Sequence, residues 1–374
     1  MVRRLGLLVL LLIAALGAGA AWLDSQLSRP YTGRESEHTF VEIPHGTSRW
    51  HIAGILRHDD VIRNRVAFAL FSEWHFRKPM QAGEYLFDQP LDSRQVFWKI
   101  AHGQIYVHTI VVPEGWSTYE IAADLDSQGV CSRQAFLAAA QDTSLIADLA
   151  PHARSLEGFL FPSTYKFTRH TTCDQVVAEM TGEFRRVWKS IAPAGTRDFP
   201  EGLTLEQLVT LASLVERETP NPAERPLVAG VFYNRLRRGY PLQCDPTVQY
   251  AMEMAGRPER SVHAQDLRVD SAYNTYEHRG LPPGPIANPG EASLRAALHP
   301  ATTDYMYFVA NNHGGHFFSR TLAEHNRNVA RYRRLLAGEP PLPDPPPKKR
   351  VEPVHRTRKP QPRSTHRGQY RGHS

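Results

Sequence analysis

The chain has 374 residues, 41% hydrophobic and 22% charged, which excludes wholesale disorder and collagen-like repetition and leaves room for two or three folded units. Its formal charge of +6 is uneven: from Pro340 onward there are nine Lys/Arg and two Asp/Glu, so residues 1–339 sum to −1. A nearly neutral body excludes a basic nucleic-acid-binding core. Residues 5–23 form a charge-free run, long enough at about 20 residues to cross a bilayer as a helix. Arg3 and Arg4 precede it and Asp24 follows, so the positive-inside rule puts Met1 in the cytosol and everything after Leu23 outside. The competing reading, a cleaved signal peptide, fits less well, because the apolar run exceeds the usual core of about 7–15 residues. Residues 24–37 are polar and read as a linker.

An internal repeat comes next. The stretch Ile43-Pro44-His45-Gly46-Thr47-Ser48 and the residues to Ala53 match Val112-Pro113-Glu114-Gly115-Trp116-Ser117 and the residues to Ala122. Each copy reads as a β-branched strand, a Pro-x-Gly turn and a Ser/Thr-capped helix, and the two copies are expected to pack together. Residues 82–87 are a further strand candidate. Such strand–turn–helix units resemble the LysM-like modules of cell-wall proteins, which implies glycan contact. Beyond residue 150, helical patterns fall at 174–190, 204–219, 226–238, 291–299 and 320–337. Between the last two, apolar runs flank Asn311-Asn312-His313-Gly314-Gly315, a hairpin signal. Prolines and arginines dominate from Glu339 on, and no core can form there. The expected fold is α+β. It comprises a cytosolic stub and transmembrane helix at 1–23, the linker at 24–37, a small LysM-like α/β region at 38–150, a larger α+β unit at 151–338 and a disordered basic tail at 339–374.

The helix expected at 204–219 carries the chemistry. Thr204 and Gln207 make a capping box, and Pro220 ends the helix. At about 100° per residue, Leu205, Leu208, Val209, Ala212 and Val215 share one stripe, with Glu216 in its middle and Glu218 on the far side. A carboxylate on an apolar face needs a partner or a proton. Burial and the negative end of the helix both favour the proton, as a general acid requires. The alternative is that Arg225 or Arg235 neutralises Glu216. The loops at 242–247, 273–276 and 280–286 are rich in Tyr, Asn, Gln and Pro, which suits sugar hydroxyls and also suits ordinary turns. His313, His316 and His325 match no zinc spacing, and no metal or cofactor is expected. Cys131, Cys173 and Cys244 allow at most one disulfide, with no spacing that selects the pair.

Five co-ordered motifs then become specific. Leu211-Ala-Ser-Leu-Val-Glu216-Arg-Glu218-Thr, Ala229-Gly-Val-Phe-Tyr-Asn234-Arg235-Leu, Leu242-Gln-Cys-Asp-Pro-Thr-Val248, Tyr273-Asn-Thr-Tyr276 and Gly280-Leu-Pro-Pro-Gly-Pro-Ile286 resemble the endolytic murein transglycosylases, the MltG/YceG-like family. The anchor, the LysM-like region and Leu156-Glu-Gly-Phe-Leu-Phe-Pro162 fit the same family. Cys244 stands where that family's pattern leads one to expect Thr, and the Pro/Arg tail is extra.

The resemblance implies a membrane-anchored enzyme on the extracytoplasmic side of the inner membrane. It would cleave the β-1,4 bond between N-acetylmuramic acid and N-acetylglucosamine in nascent peptidoglycan and leave 1,6-anhydro ends. It also implies peptidoglycan strands and cell-wall synthases as partners; nucleic-acid binding through the tail is excluded on topology, because the tail is expected outside the cytosol. The family's catalytic glutamate matches Glu216. Glu218, Gln243, Asp245, Tyr273, Asn274 and Tyr276 are the candidate substrate contacts. The competing class is a non-catalytic glycan-binding scaffold, which has no use for an acid on an apolar stripe.

Overall fold

The computed structural model describes residues 2–31, 38–192, 198–258 and 261–338. The expected disordered tail and residues 32–37 of the expected linker lie outside them. Helix α1 (Val2–Leu27) is apolar over most of its length, and its leucines from Leu5 to Leu16 are exposed. Over Arg4–Leu27, 24 residues of mean hydropathy 2.3, it is long and apolar enough to cross a membrane. The linker was expected to begin at Asp24. Instead the helix continues to Leu27, whose side chain is buried against the first folded unit, because no breaker precedes Pro30.

That unit pairs β1 (Thr39–Ile43) with β2 (Gly83–Phe87) antiparallel, Val41 opposite Tyr85. Between the strands run α2 (Arg49–His58), capped by Ser48, and α3 (Arg65–Trp74), capped by Asn64. After them comes α4 (Ser93–Ala101), started by an Asp92/Gln95 capping box. Their apolar faces close one small core around Ile52, Leu56, Phe68, Tyr85, Phe97 and Ile100.

The second copy of the repeat goes elsewhere. Its strand β3 (His108–Val111) pairs antiparallel with β4 (Thr164–Phe167), far along the chain. Its helix α5 (Thr118–Ser127) and the following α6 (Arg133–Ala139) bury Ile121, Leu125 and Phe136 in the larger core. The two copies therefore do not pack on each other, contrary to the expectation from the repeat, because each strand finds a different partner. The units meet at the buried Glu84, which holds His108 at 3.2 Å and Arg169 at 3.1 Å.

The larger core is mostly helical: α7 (Cys173–Ile191), α8 (Leu205–Glu218), α9 (Arg225–Arg237), α10 (Asp245–Met254) and α11 (Glu291–Leu298). Helix α8 packs against α9, α10 and α11, and is buried at Leu205 and at every position from Leu208 to Glu216. The hairpin forms as expected, β5 (Tyr307–Ala310) with β6 (His316–Ser319), and α12 (Leu322–Leu336) covers it. The stretch expected to be a polar loop at 242–247 instead starts α10, because Pro246 fits the first turn of a helix. Cys131 and Cys173 are bonded, tying the turn after α5 to the start of α7, and Cys244 is buried and free.

Candidate active site

Helix α8 ends at Thr219 because Pro220 cannot continue it, and both glutamates sit in its last turn. Glu216 turns inward. Its Oε1 lies 2.6 Å from Arg225 Nη2, and Gly290 N–H donates to its Oε2 at 3.0 Å. The side chains of Glu216 and Arg225 are 4% and 5% exposed. Glu114, from the Pro113-Glu114-Gly115 turn of the second repeat copy, approaches Arg225 at 3.4 Å. Packing here is close: a Cβ on Gly290 would meet Glu114 Oε1 at 2.0 Å, so a larger residue there would have to displace the Glu114 side chain. Burial raises the pKa of Glu216 against the pull of the Gly290 amide and the Arg225 guanidinium. Glu216 is thus a partner in a sealed ion pair, the alternative that the sequence had left open.

A second buried carboxyl braces the same region. Glu157, in the Leu156-Glu-Gly motif, accepts from Thr118 N–H at 3.0 and 3.1 Å, Tyr250 Oη at 3.0 Å and Asn288 Nδ2 at 3.0 Å. Asn288 Oδ1 accepts from Gly158 and Leu160 N–H, both at 2.9 Å. These bonds join four segments, at residues 118, 157–160, 250 and 288, beside the Glu216 pair. Burial pushes the Glu157 carboxyl up to about 7.

Glu218 turns the other way, into a cleft. A cavity of about 420 Å³ is lined by Glu218, Arg235, Gln243, Asp245, Tyr276 and His316, among others. Tyr276 Oη donates to Asp245. Arg235 is fixed by backbone carbonyls, with Nε on Met306 O at 2.8 Å and Nη1 on Leu242 O at 2.6 Å. His316 is oriented by Glu224, Nδ1 lying 2.7 Å from Oε2 and its amide donating to Oε1 at 3.0 Å. Gln243 reaches the cleft from a left-handed backbone, φ 50°. Burial pushes the Glu218 carboxyl up to about 7, and the nearby Asp245 adds to this, while a hydrogen bond from the Cys244 thiol and the charge of Arg235 pull it down.

Of the residues expected at the site, the structure brings Glu218, Gln243, Asp245 and Tyr276 together around the cleft. Glu216 lies behind it in the ion pair. Asn274 is fully buried and locks its own loop, Nδ2 donating to Leu267 O at 3.0 Å and Val269 O at 2.9 Å. Tyr273 packs on Tyr250 with ring centroids 5.0 Å apart, away from the cleft. The expectation that Glu216 faces a cleft and Glu218 faces away is therefore reversed: the apolar stripe of α8 points into the core, and the polar side points into the cavity. Arg235, His316 and Glu224 were missed as site residues. Arg235 was visible only as a candidate partner for Glu216, and His316 only as a weak metal ligand.

Chemically, the cleft offers a carboxyl poised near neutrality, able to donate a proton and take one back, among amide, phenol and cationic groups suited to a polar substrate.

The match to known proteins spans both units. The model of the YceG-like family covers residues 41–331. The endolytic murein transglycosylase of Bacillus subtilis (strain 168) is 35% identical, over 84% of this chain and 90% of its own length. The endolytic murein transglycosylase of Streptococcus pneumoniae serotype 2 is 28% identical over 86% of this chain, which spans 64% of that longer protein. The 2.6 Å crystal structure of a YceG-like protein from Listeria monocytogenes superposes with a TM-score of 0.51 at 31% identity, covering 78% of this chain and 98% of that one. A family match running from the first strand into the last helix, with relatives aligned over most of their length, places this chain in the YceG-like family.

Proposed function

We propose that this chain is an endolytic murein transglycosylase in which Glu218, rather than Glu216, is the catalytic acid. The observation that carries this reading is the position of Glu218: its carboxyl lines the open cleft with Gln243, Asp245 and Tyr276 and is held near neutrality. The bond cut is the β-1,4 link between N-acetylmuramic acid and N-acetylglucosamine. Protonated Glu218 gives its proton to the leaving O4 as the bond from C1 breaks. The resulting carboxylate takes the proton from the muramoyl C6 hydroxyl as that oxygen bonds to C1. The product is a 1,6-anhydro end, the acid is regenerated and no water is consumed. A hydrolase uses two flanking carboxylates; here the substrate supplies the nucleophile. Gln243, Asp245 and Tyr276, which line the cleft, hold the sugars, and the Glu216–Arg225 pair ties the end of α8 to the start of α9.

Helix α1 is read as a single-pass inner-membrane anchor with the cleft on the extracytoplasmic side, where wall synthases work on nascent strands. The Cys131–Cys173 bond fits an oxidising compartment. Mass spectrometry of purified glycan strands digested by the chain tests the reading. Anhydro-muramoyl ends are expected. Reducing ends that take oxygen from labelled water would overturn the lyase chemistry.

A further inference from the structure

The cleft holds a histidine that the proposed proton transfer does not use. His316 opens β6 and lines the cavity together with Glu218, Arg235, Gln243, Asp245 and Tyr276. Its ring is gripped through one nitrogen. Nδ1 lies 2.7 Å from Glu224 Oε2, and the His316 backbone N–H donates to Oε1 of the same carboxylate at 3.0 Å. The two side chains are 12% and 16% exposed. The hairpin turn sits against that carboxylate. Asn311 Oδ1 accepts from the N–H groups of His313 and Gly315 at 2.8 and 3.1 Å, and a Cβ on Gly315 would meet Glu224 Oε1 at 2.5 Å. The Phe308 ring stands edge-on to the imidazole, with centroids 5.3 Å apart.

This geometry sets the tautomer. An ionised carboxylate only accepts, so the ring nitrogen beside Glu224 carries a hydrogen. In the neutral imidazole that hydrogen is the only one, and Nε2 keeps a lone pair. Nε2 makes no bond to any described residue and is not sealed from solvent, so the free edge of this cleft-lining ring opens to the cavity. Such an acceptor is scarce there. Arg235 only donates, and protonated Glu218 has to donate for the proposed chemistry. Asp245 already accepts from Tyr276 Oη, and the His325 ring is stacked on Tyr307, centroids 5.1 Å apart. A sugar hydroxyl brings a donor as well as lone pairs, so a bound strand needs acceptors. A neutral acceptor adds no negative charge to the cleft, whereas a second carboxylate would push Glu218 up further, as Asp245 already does.

We propose that His316 is a substrate-binding residue that accepts a hydrogen bond from a sugar hydroxyl of the glycan strand through Nε2, with Glu224 as the positioning residue that fixes the accepting tautomer. The proposal rests on the reading of the cleft as a glycan site. Glu224→Gln is the informative change, because a carboxamide has one acceptor oxygen where a carboxylate has two. The His316 backbone N–H always donates and takes that oxygen, so the NH2 group faces Nδ1. The ring hydrogen then moves to Nε2, and the acceptor in the cleft becomes a donor while the ring keeps its place.

The test uses the full chain, labelled with nitrogen-15 in its histidines and reconstituted in lipid vesicles, for solid-state NMR of the ring nitrogens. His316→Phe keeps a ring without nitrogens and identifies the His316 signals among the 18 histidines by their loss. At about pH 8, where an ordinary imidazole is neutral, wild-type His316 should show a protonated Nδ1 and a bare Nε2, and Glu224→Gln the reverse. On purified glycan strands both variants should raise KM about 2- to 10-fold, the size of one neutral hydrogen bond, with kcat within about twofold of wild type. A hydrogen on Nε2 of wild-type His316, alone or with one on Nδ1, would overturn the proposal. So would an unchanged KM in Glu224→Gln once its tautomer has switched, or a fall in kcat with no rise in KM, which puts the ring in the chemical step. If Glu224→Gln does not fold, the wild-type spectrum and the KM of His316→Phe decide. A wild type that makes no anhydro-muramoyl ends would sink the enzyme reading and this role with it; an active wild type with a hydrogen on Nε2 would sink this role alone.

Discussion

Glu216 and Glu218 leave α8 in opposite directions, one toward a guanidinium and the other into a cleft, and the same side chain acquires two jobs from its surroundings. Glu216→Gln removes the negative partner of a buried Arg225. Breaking such a pair typically costs about 3–5 kcal/mol, and the low end is expected because Glu114 still faces the guanidinium. Glu218→Gln removes a carboxyl whose ionised form is disfavoured by burial. Its folded pKa of about 7 lies above the ordinary 4.5, so the stability it contributes is present at low pH and lost as pH rises through 7. Thermal melts at about pH 8, where Glu216 is ionised, should therefore show Glu216→Gln destabilised, with the loss shrinking as pH falls and wild-type Glu216 takes up a proton, while Glu218→Gln is unchanged at about pH 5 and at least as stable as wild type at about pH 8.

The thiol beside Glu218 gives a second residue-scale prediction. Cys244 donates to the Glu218 carboxyl and lowers its pKa. With Glu218 as the proposed acid, kcat/KM should fall as pH rises through about 7. Cys244→Ala should move that alkaline limb to higher pH, whereas Cys244→Thr, which keeps a donor, should leave it near the wild-type position. A limb that ignores both substitutions would show that another group sets it.

The helical wheel separated the two glutamates correctly but did not show that the polar side of the helix lines a cavity, and the physical reason is instructive. An apolar stripe marks the side facing the core. Helix α8 is buried nearly all round, Thr210 and Ser213 included, so its polar side is also inside the protein and lines a cavity between elements. Periodicity cannot see that cavity, because the residues that close it come from α9, the loop before α10, residue 276 and the hairpin.

At the scale of elements, the expected helices from 174 to 337 and the hairpin appear close to their expected bounds, because capping boxes and breakers are local signals. Two features were not legible. One is the pairing of β3 with β4, which depends on a partner more than 50 residues away. The other is the bracing carboxyl of Glu157, which stands in a short motif with no periodic signature. Glu157 receives four hydrogen bonds from three other segments. Glu157→Gln places an amide N–H against groups that donate, and leaving such donors unpaired costs about 1–3 kcal/mol. Chemical denaturation should show that loss. It should also show a shallower decline of stability between about pH 5 and 7, since the folded pKa of about 7 makes Glu157 another group whose contribution is lost as pH rises. An unchanged slope would mean that Glu157 does not titrate in that window.

For the whole molecule, a helix fit to span a membrane leads into two cores joined at Glu84, and the cleft belongs to the second. The Cys131–Cys173 bond closes 42 residues of the larger core, and removing a bond of this kind costs about 2–4 kcal/mol. Cys131→Ser with Cys173→Ser should lower the melting temperature and leave the product unchanged, because the bond lies away from the cleft residues. The central claim is that Glu218 carries the proton. Its most direct test is the rate of anhydro-muramoyl end formation by folded Glu218→Gln and Glu216→Gln proteins, read by chromatography with mass detection. A sole catalytic acid is worth at least the 10²–10⁴-fold typical of general acid–base catalysis. Glu218→Gln should lose activity on that scale while still binding glycan, and Glu216→Gln should keep measurable turnover below its melting temperature. Anhydro ends from Glu218→Gln at near wild-type rate, with Glu216→Gln folded and inactive, would contradict the account and return the acid to Glu216.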